Sequence, residues 1–548
     1  MERVKVRFSS DEIREYDKGT ALSFISADQA ARYATEIIAA KVNNEIRGLD
    51  YAVENDCSVE FFDLTTDLGN KVYQRSLIFV LYLAAKELFP TGRLCVEHSL
   101  GKGLYCELHL DRPLTASDIE ALEERMKEIV AANKPIVKET MGANQALQLL
   151  EDAGLTVKAK LIRQMKRNKV SLYCCGGEYN YFYRTLVPNT GYMSVFSLLF
   201  YAPGFLLRYP TPETGGALPV FVDQPKLAEI FLEAERWASL IGCDYIPRLN
   251  ERIEQGEIND IIRISEALHE KKMAYIADLI AANGNIHVVI IAGPSGSGKT
   301  TFAQRLGVQL HVNGLVPVTI SLDDYFLDRR ENEVTDLESI SIVDLDLFND
   351  HLARLIKGEE VELPSFNFKT GKREYHGHTV RFRPGQVLII ESIHGLNVEV
   401  AKSIPRENKI KIYINALTQL GIDPHNRIPT TDARLIRRIV RDSQFRAYSA
   451  LDTLRVWASV RHGEEGNIFP YGEEADLMFN SALLYEQSIL KKYAIPLLQE
   501  VKPDEPEYSE ARRLIRMLSY FYDASEDEVP LNSILSEFIG RPARVCKA

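Results

Sequence analysis

Residues 4–8 (VKVRF) alternate apolar and polar, as a half-buried strand does, and residues 57–62 (CSVEFF) read the same way. Between them, residues 27–42 carry apolar positions at helical spacing, so a small α+β module is expected. A helix-like run over 73–89 precedes short strands at 94–96 and 105–110, then a charged helix over 116–132. That last helix has a clear start: Thr115 or Ser117 can cap it, and Asp118 and Glu120 fall where the dipole favours anions. A second α+β module follows from this pattern. The apolar stretch 193–207 is too short to span a bilayer as a helix and is interrupted by Pro203-Gly204, so it predicts a buried strand and turn. Pro210, Pro212, Gly215, Gly216 and Pro219 mark a boundary, and residues 225–282 read as mostly helical.

At residue 286 the pattern changes. IHVVIIAG is a short run rich in β-branched residues, bounded by Asn283-Gly284 and by glycine, and helix-length segments follow it. Residues 316–322, 386–391 and 410–414 repeat the theme. Such alternation predicts an α/β fold with a doubly wound parallel sheet. No repeat in the solenoid range is visible.

The strongest motif follows the first of these strands: Gly293-Pro-Ser-Gly-Ser-Gly298-Lys299-Thr300, a complete G-x-x-x-x-G-K-[ST]. Glycines let backbone N–H groups curl around phosphate oxygens, the helix start adds its dipole, Lys299 neutralises the outer phosphates, and the Thr300 hydroxyl suits Mg²⁺. Ordinary residue usage gives about 0.02 chance matches in a chain this long. Gly293, Ser295, Gly296, Ser297, Gly298, Lys299, Thr300 and Thr301 are therefore the expected nucleotide-binding set. Strand 316–322 runs into Asp323-Asp324, where a carboxylate at a strand end is placed to accept a proton from an attacking hydroxyl; a capped turn is the plainer alternative. Strand 386–390 ends in Glu391, a candidate Mg²⁺ partner or an ordinary surface acid. Arg434, Arg437, Arg438, Arg441 and Arg446 lie at helical spacings, with Arg434, Arg438 and Arg441 able to share a face. Such a face stabilises a transferring phosphoryl or is simply solvated; Arg441 and Arg446 are the favoured site residues.

Composition narrows the field of partners. The 548 residues leave room for three or four domains, and 45% hydrophobic with 26% charged residues fits globular rather than disordered chains. A net charge of −12 argues against broad nucleic-acid binding. Seven cysteines, with no CxxC pair, give neither a disulfide framework nor a zinc ribbon and fit a reducing, cytoplasmic setting. The opening MERVKVRFSSDEIREYD lacks the apolar stretch of a signal peptide, and no membrane association is expected.

Over about 286–501 these segments, in this order, resemble the uridine kinase and phosphoribulokinase family. GPSGSGKTTFAQRL is similar to its Walker A region, SLDDYF to the segment with its catalytic acid, and VDLDLFNDHLARLIKGEEVELPSFNF to the approach to its acceptor pocket. VLIIESIHGL resembles the strand ending in the metal-associated acid, DARLIRRIVRDSQFR the arginine-bearing lid, and EEADLMFNSA the strand near the nucleotide base. The resemblance implies ATP and Mg²⁺, with Asp323 as base, Lys299 on phosphate, Thr300 and Glu391 on the metal, and Arg441 and Arg446 closing the site. Two positions depart from the uridine kinase pattern: an Asp and a His are replaced by Ser341 and Gly371, with Arg373, Tyr375, His376 and His378 nearby as substitutes.

The front of the chain resembles threonyl-tRNA synthetase. Residues 1 to about 65 are similar to its TGS domain through KVNNEIRGLDYAVENDCSVEFF, and residues 67–222 to its editing domain through LAAKELFP, GKGLYCELHLDRPLTASDIEALEERM and CCGGEY. That editing site needs HxxxH and CxxxH; the matching positions are Arg75 and Phe79, then Cys175 and Tyr179. With one polar ligand of four, neither metal binding nor deacylation has its chemistry. No counterpart of the synthetase's aminoacylation core is found.

The expected organisation is thus a TGS-like domain (1–65), an editing-like domain (67–222), a helical connector (223–282), a kinase-like domain (283–501) and a helical tail (502–548). The expected activity is transfer of the γ-phosphoryl of ATP to a hydroxyl of a uridine- or cytidine-like nucleoside. Alternatives are a kinase of another hydroxyl substrate and an ATP-gated RNA-binding or regulatory protein. The expected partner is a small hydroxyl acceptor, with a homo-oligomeric assembly; RNA is the less favoured partner.

Overall fold

The computed structural model describes residues 2–328, 339–367, 370–418 and 420–540. At the front, Arg3–Phe8 buries Val4, Val6 and Phe8 on one face, as its alternation requires, and pairs antiparallel with Ile13–Asp17 and parallel with Cys57–Phe62. The far edge of Cys57–Phe62 takes Ala39–Val42. The helix expected over 27–42 is therefore not formed. Its apolar end, Ile37 to Val42, is mostly buried, with Ala39–Val42 as strand; a short helix, Leu22–Ala27, ends where it was expected to begin, and Ala30–Arg32 makes a single 3-10 turn. Sheet packing overrides an alanine-rich helical spacing, and Asn43-Asn44, both at positive φ, turn the chain into the partner strand Glu45–Arg47.

The next unit is a four-stranded antiparallel sheet, in the order Ser197–Tyr201, Gly204–Arg208, Gly103–His109, Arg93–Leu100. The apolar stretch around 193–207 supplies its hairpin. The long helix Asp67–Leu88 and the helix Ala116–Ala131 bury their apolar faces against this sheet. A reciprocal Thr115–Asp118 capping box starts the second helix. The helices Pro225–Ile241, Ile246–Glu254 and Ile258–Ala282 then lead to the back of the chain.

There, β1 (Val288–Ala292), β2 (Val316–Ser321), β3 (Gln386–Ser392), β4 (Lys409–Asn415) and β5 (Leu477–Asn480) form an all-parallel sheet in the order β2-β3-β1-β4-β5. Both faces of β1 are buried, and alternate residues serve different layers. Val289 and Ile291 pack with Phe302 and Leu306 of the helix Lys299–Val312, whereas Val288 and Ile290 pack with Phe348 and Leu352. This is the doubly wound arrangement.

Front and back share one apolar core that runs from Met141 to Ile539. Polar clamps reinforce the seam. Lys158, on the helix Thr156–Gln164, lies fully buried 2.9 Å from Asp423, which sits in the loop after β4. Asn426 Nδ2 donates to the Tyr181 carbonyl at 3.0 Å, and the hydroxyls of Tyr181 and Tyr520 stand 2.8 Å apart. Among the described residues beyond 501, the chain is helical over Tyr508–Leu518, with a 3-10 turn at Ile534–Glu537. The six described cysteines are unpaired, and Cys546 lies outside the described residues. No described helix is long and apolar enough to cross a membrane.

Candidate active site

The bend after β1 holds two glycines at positive φ, Gly296 (+74°) and Gly298 (+84°), the second capping the helix Lys299–Val312. Gly293 is required by contact: a Cβ there would stand 2.0 Å from the Ile414 carbonyl oxygen. The outside of the bend is held by the arginine helix, Thr430–Phe445. Arg434 donates to the Ser295 carbonyl at 3.0 Å and forks onto Glu464 at 2.5 and 2.7 Å, and Glu464 in turn accepts the Ser295 N–H at 3.1 Å. Arg437 donates to the Gly296 carbonyl at 3.2 Å, to the Ser481 carbonyl at 2.8 Å and to Glu486 at 2.5 Å. The Ser481 hydroxyl donates to the Ser297 carbonyl at 2.6 Å. With these carbonyls occupied from outside, the amides at the start of the following helix are the donors left for an anion.

The inner side gathers the predicted chemistry. Lys299 Nζ donates to the Gly293 and Pro294 carbonyls at 2.9 and 3.2 Å, a position from which it can swing onto phosphate. The Thr300 hydroxyl donates to Glu391 at 2.7 Å. Glu391 sits on β3 opposite both Ile291 of β1 and Ser321 of β2, so the sheet register brings it to the loop. Burial pushes its carboxyl up to about 7 despite the Thr300 hydroxyl and Lys299, and Asp323 and Glu537 add to the rise. Asp323 occupies the 3-10 turn Leu322–Tyr325 directly after β2. Burial raises its pKa as well, opposed by Lys299 and Arg446 and assisted by Asp324. Thr300, Glu391, Asp323 and Lys299 thus form one electrostatic unit, with hydroxyl and carboxylate oxygens of the kind Mg²⁺ prefers beside a glycine bend of the kind that binds phosphate.

The arginines divide into two groups. Arg434 and Arg437 are fully buried and brace the loop, so Arg434 does not share an open face with Arg438 and Arg441. Arg438 donates to the Ser295 hydroxyl at 3.2 Å. Arg441 and Arg446 stand towards the open end, Arg441 donating to Glu537 and Arg446 lying 3.3 Å from Asp442. Thr301 also reaches Glu537, at 2.8 Å.

On the acceptor side, Asp324 accepts the Phe366 N–H at 3.1 Å, and Arg373 pairs with Asp344 at 3.0 Å while donating to the Phe326 carbonyl. His378 lies within electrostatic reach of Asp324, and Tyr375 within reach of Tyr325. His376 pairs with Glu374 at 3.3 Å on an exposed turn. Gly371 takes φ +67° in the turn between Ser365–Asn367 and Lys372–Glu374, and Ser341 bonds Ser339.

Sequence reasoning missed Glu464, Ser481 and Glu537. Each lies more than 160 residues from its partner in the loop or the following helix, and Glu464 reads locally as an ordinary helix-surface acid. In the front half, Phe79 is fully buried with its ring 5.5 Å from that of Phe182, and Arg75 donates to the Thr185 carbonyl at 3.3 Å. The Tyr179 hydroxyl donates to Glu139, and Cys175 is buried in the same apolar cluster as Phe79 and Phe182.

Residues 288–484 match the family described as Phosphoribulokinase / Uridine kinase family. The N-terminal part matches threonine–tRNA ligases: that of Acetivibrio thermocellus at 25% identity and that of Symbiobacterium thermophilum at 29%, each over 197 residues. Those matches cover 36% of this chain and 31% and 30% of the ligases, so the chain spans about a third of the length of these relatives. Among solved structures, a possible uridine kinase from Bacillus stearothermophilus matches with TM-score 0.27 and 18% identity, covering 38% of this chain and 98% of that one. A D-glycerate 3-kinase from Cryptococcus neoformans matches with TM-score 0.22 and 16% identity, covering 47% and 89%. Behind a segment similar to threonine–tRNA ligases, this chain carries a stretch, residues 288–484, that matches the phosphoribulokinase and uridine kinase family.

Proposed function

We propose that the protein transfers the γ-phosphoryl of Mg-ATP to a hydroxyl of a nucleoside-like small molecule. The observation that carries this reading is the convergence of Lys299, Thr300, Glu391 and Asp323 on one bend. Magnesium, held by Thr300 and Glu391 together with the nucleotide, would supply charge neutralisation between the outer phosphates. Asp323 takes the proton from the acceptor hydroxyl, and its burial suits it to that task by raising its basicity. Lys299 leaves its two carbonyls for the phosphates, and Arg441 and Arg446 neutralise charge at the open end. No covalent intermediate is involved; positioning and charge carry the reaction.

Arg373, Tyr375 and His378 lie within electrostatic reach of Asp324 or Tyr325, the residues that follow Asp323, and an acid, a cation and two flat rings suit a polar ring compound with a primary hydroxyl. Uridine and cytidine are accordingly the first acceptors to test. The assay is γ-labelled ATP with a panel of nucleosides, sugars and small hydroxy acids. Acceptor-dependent label transfer that is abolished in Asp323→Asn, with ATP binding intact, supports the reading. Turnover of that variant at the parental rate removes Asp323 from the base role, and label transfer confined to sugars or hydroxy acids removes the nucleoside.

A further inference from the structure

Away from the phosphate bend, a cavity of 430 Å³ lies where the long helix Asp67–Leu88 of the front half meets the start of the arginine helix of the back half. Lys71, Arg75, Arg184 and Arg427 line it. Other cations on its wall have acidic partners: Arg513 binds Asp432 and Glu510, Arg434 binds Glu464, and Arg461 binds Glu465. The four named first have none within ion-pair distance among the described residues. Arg75 reaches only the Thr185 carbonyl, Arg427 only the Ser99 hydroxyl, and the Nε of each is buried without a partner. The one acid on the wall, Glu473, is spent on the backbone N–H groups of Lys226 and Leu227.

A second feature points the same way. The arginine helix begins at this wall with Pro429 as its cap and no side-chain cap bond, so the amides of Thr430 and Thr431 face the cavity region without an intrahelical acceptor, beside their own hydroxyls. Burial, with Arg184 close by, brings the Arg75 guanidinium down to about 9, the signature of a cation held where a counter-charge is missing. The opposite wall, with Leu227, Phe231 and Met478, is apolar.

We propose that this cavity is a second ligand site that binds the phosphate group of a small phosphorylated molecule of nucleotide size. Four cations and a helix start fit a phosphate through charge-assisted bonds, the apolar wall fits an organic body, and the volume lies in the range of small-molecule pockets. A net charge of −12 disfavours a polyanion such as RNA. The site is distinct from the phosphate bend: Arg434 and Glu464 stand between them, bonded to Ser295 on the far side.

The test uses the full chain carrying Lys299→Ala, which disables phosphate capture at the bend, in calorimetric titrations with inorganic pyrophosphate, uridine 5′-monophosphate and a short RNA hairpin. Pyrophosphate or the monophosphate is expected to bind, more weakly as salt rises, and Lys71→Met or Arg75→Met should weaken binding about tenfold or more. Lys71→Met removes no side-chain hydrogen bond among the described residues, and an unchanged circular-dichroism melt shows that it is folded. The proposal is overturned by absence of binding at about 1 mM phosphate compound, by binding unaffected in both methionine variants, or by binding of the RNA alone. Because Lys299 is already removed, failure here leaves the kinase reading untouched, and loss of kinase activity leaves this site untouched.

Discussion

Lys158 offers a direct test of how the two halves are joined. Its ammonium is fully buried, 2.9 Å from Asp423 and 2.8 Å from the Tyr181 carbonyl, with the Phe182 ring 5.0 Å away. Lys158→Met keeps the stem and deletes the charge, leaving a buried carboxylate. Losing one partner of a buried pair costs about 3–5 kcal/mol. Asp423 keeps donors from the His425 N–H (2.9 Å), the Asn426 N–H (3.2 Å) and the Asn426 amide (2.6 Å), which places the expected loss near the lower end, about 3 kcal/mol. That is about a 10²-fold fall in the folded-to-unfolded ratio. Urea unfolding followed by circular dichroism reads the loss, and by the fluorescence of Trp237 and Trp457 whether the back half goes with the front. Combining Lys158→Met with Asp423→Asn should cost less than the sum of the single losses by about 1.5 kcal/mol or more. A single-variant loss below about 1 kcal/mol, or strict additivity, refutes the claim that this pair clamps the seam.

Lys299→Ala should abolish phosphoryl transfer while ATP-independent folding survives, since the side chain donates to two loop carbonyls that water can reach once it is gone; enzyme assay and a circular-dichroism melt check the two halves of this statement. Asp323→Asn should lower kcat about 10²-fold or more with ATP affinity spared. Glu391, at about 7 against an ordinary 4.5, holds a proton in the folded state that the unfolded chain has lost, so its contribution to stability falls as pH rises between those values. Metal binding needs the anion, so Mg-ATP affinity should climb from pH 6 to 8 with proton release, and Glu391→Gln should flatten the climb in titrations run in two buffers of different ionisation heat. Glu537→Gln frees Arg441 and removes an anion from beside Thr301, and should lower KM for ATP about two- to fivefold; an unchanged KM would show that the contact is idle.

Much of the back half was legible because its strands are short, apolar and spaced by helices, and because the phosphate bend needs glycine at fixed places. The front sheet was legible at residues 4–8 and 57–62, where alternation matches burial, and illegible at 27–42, where alanines imitate a helix and only the sheet decides. The bracing of the bend could not be read at all. Glu464 and Glu537 are ordinary local acids whose roles arise from contacts across more than 160 residues, and Arg434 gives no local sign that it is buried rather than solvated. The cationic cavity was hidden for the same reason: Arg75 and Arg427 are 352 positions apart and meet only when the halves dock.

The apolar core running from Met141 to Ile539 has a consequence for ancestry and for engineering alike. The two parts are soldered, for a fragment beginning near residue 283 would bare the side of Tyr520 that Tyr181 and Tyr183 now cover. Recombination that swapped either half for a foreign homologue would have to rebuild this seam, so the two parts are expected to be inherited and to change in concert.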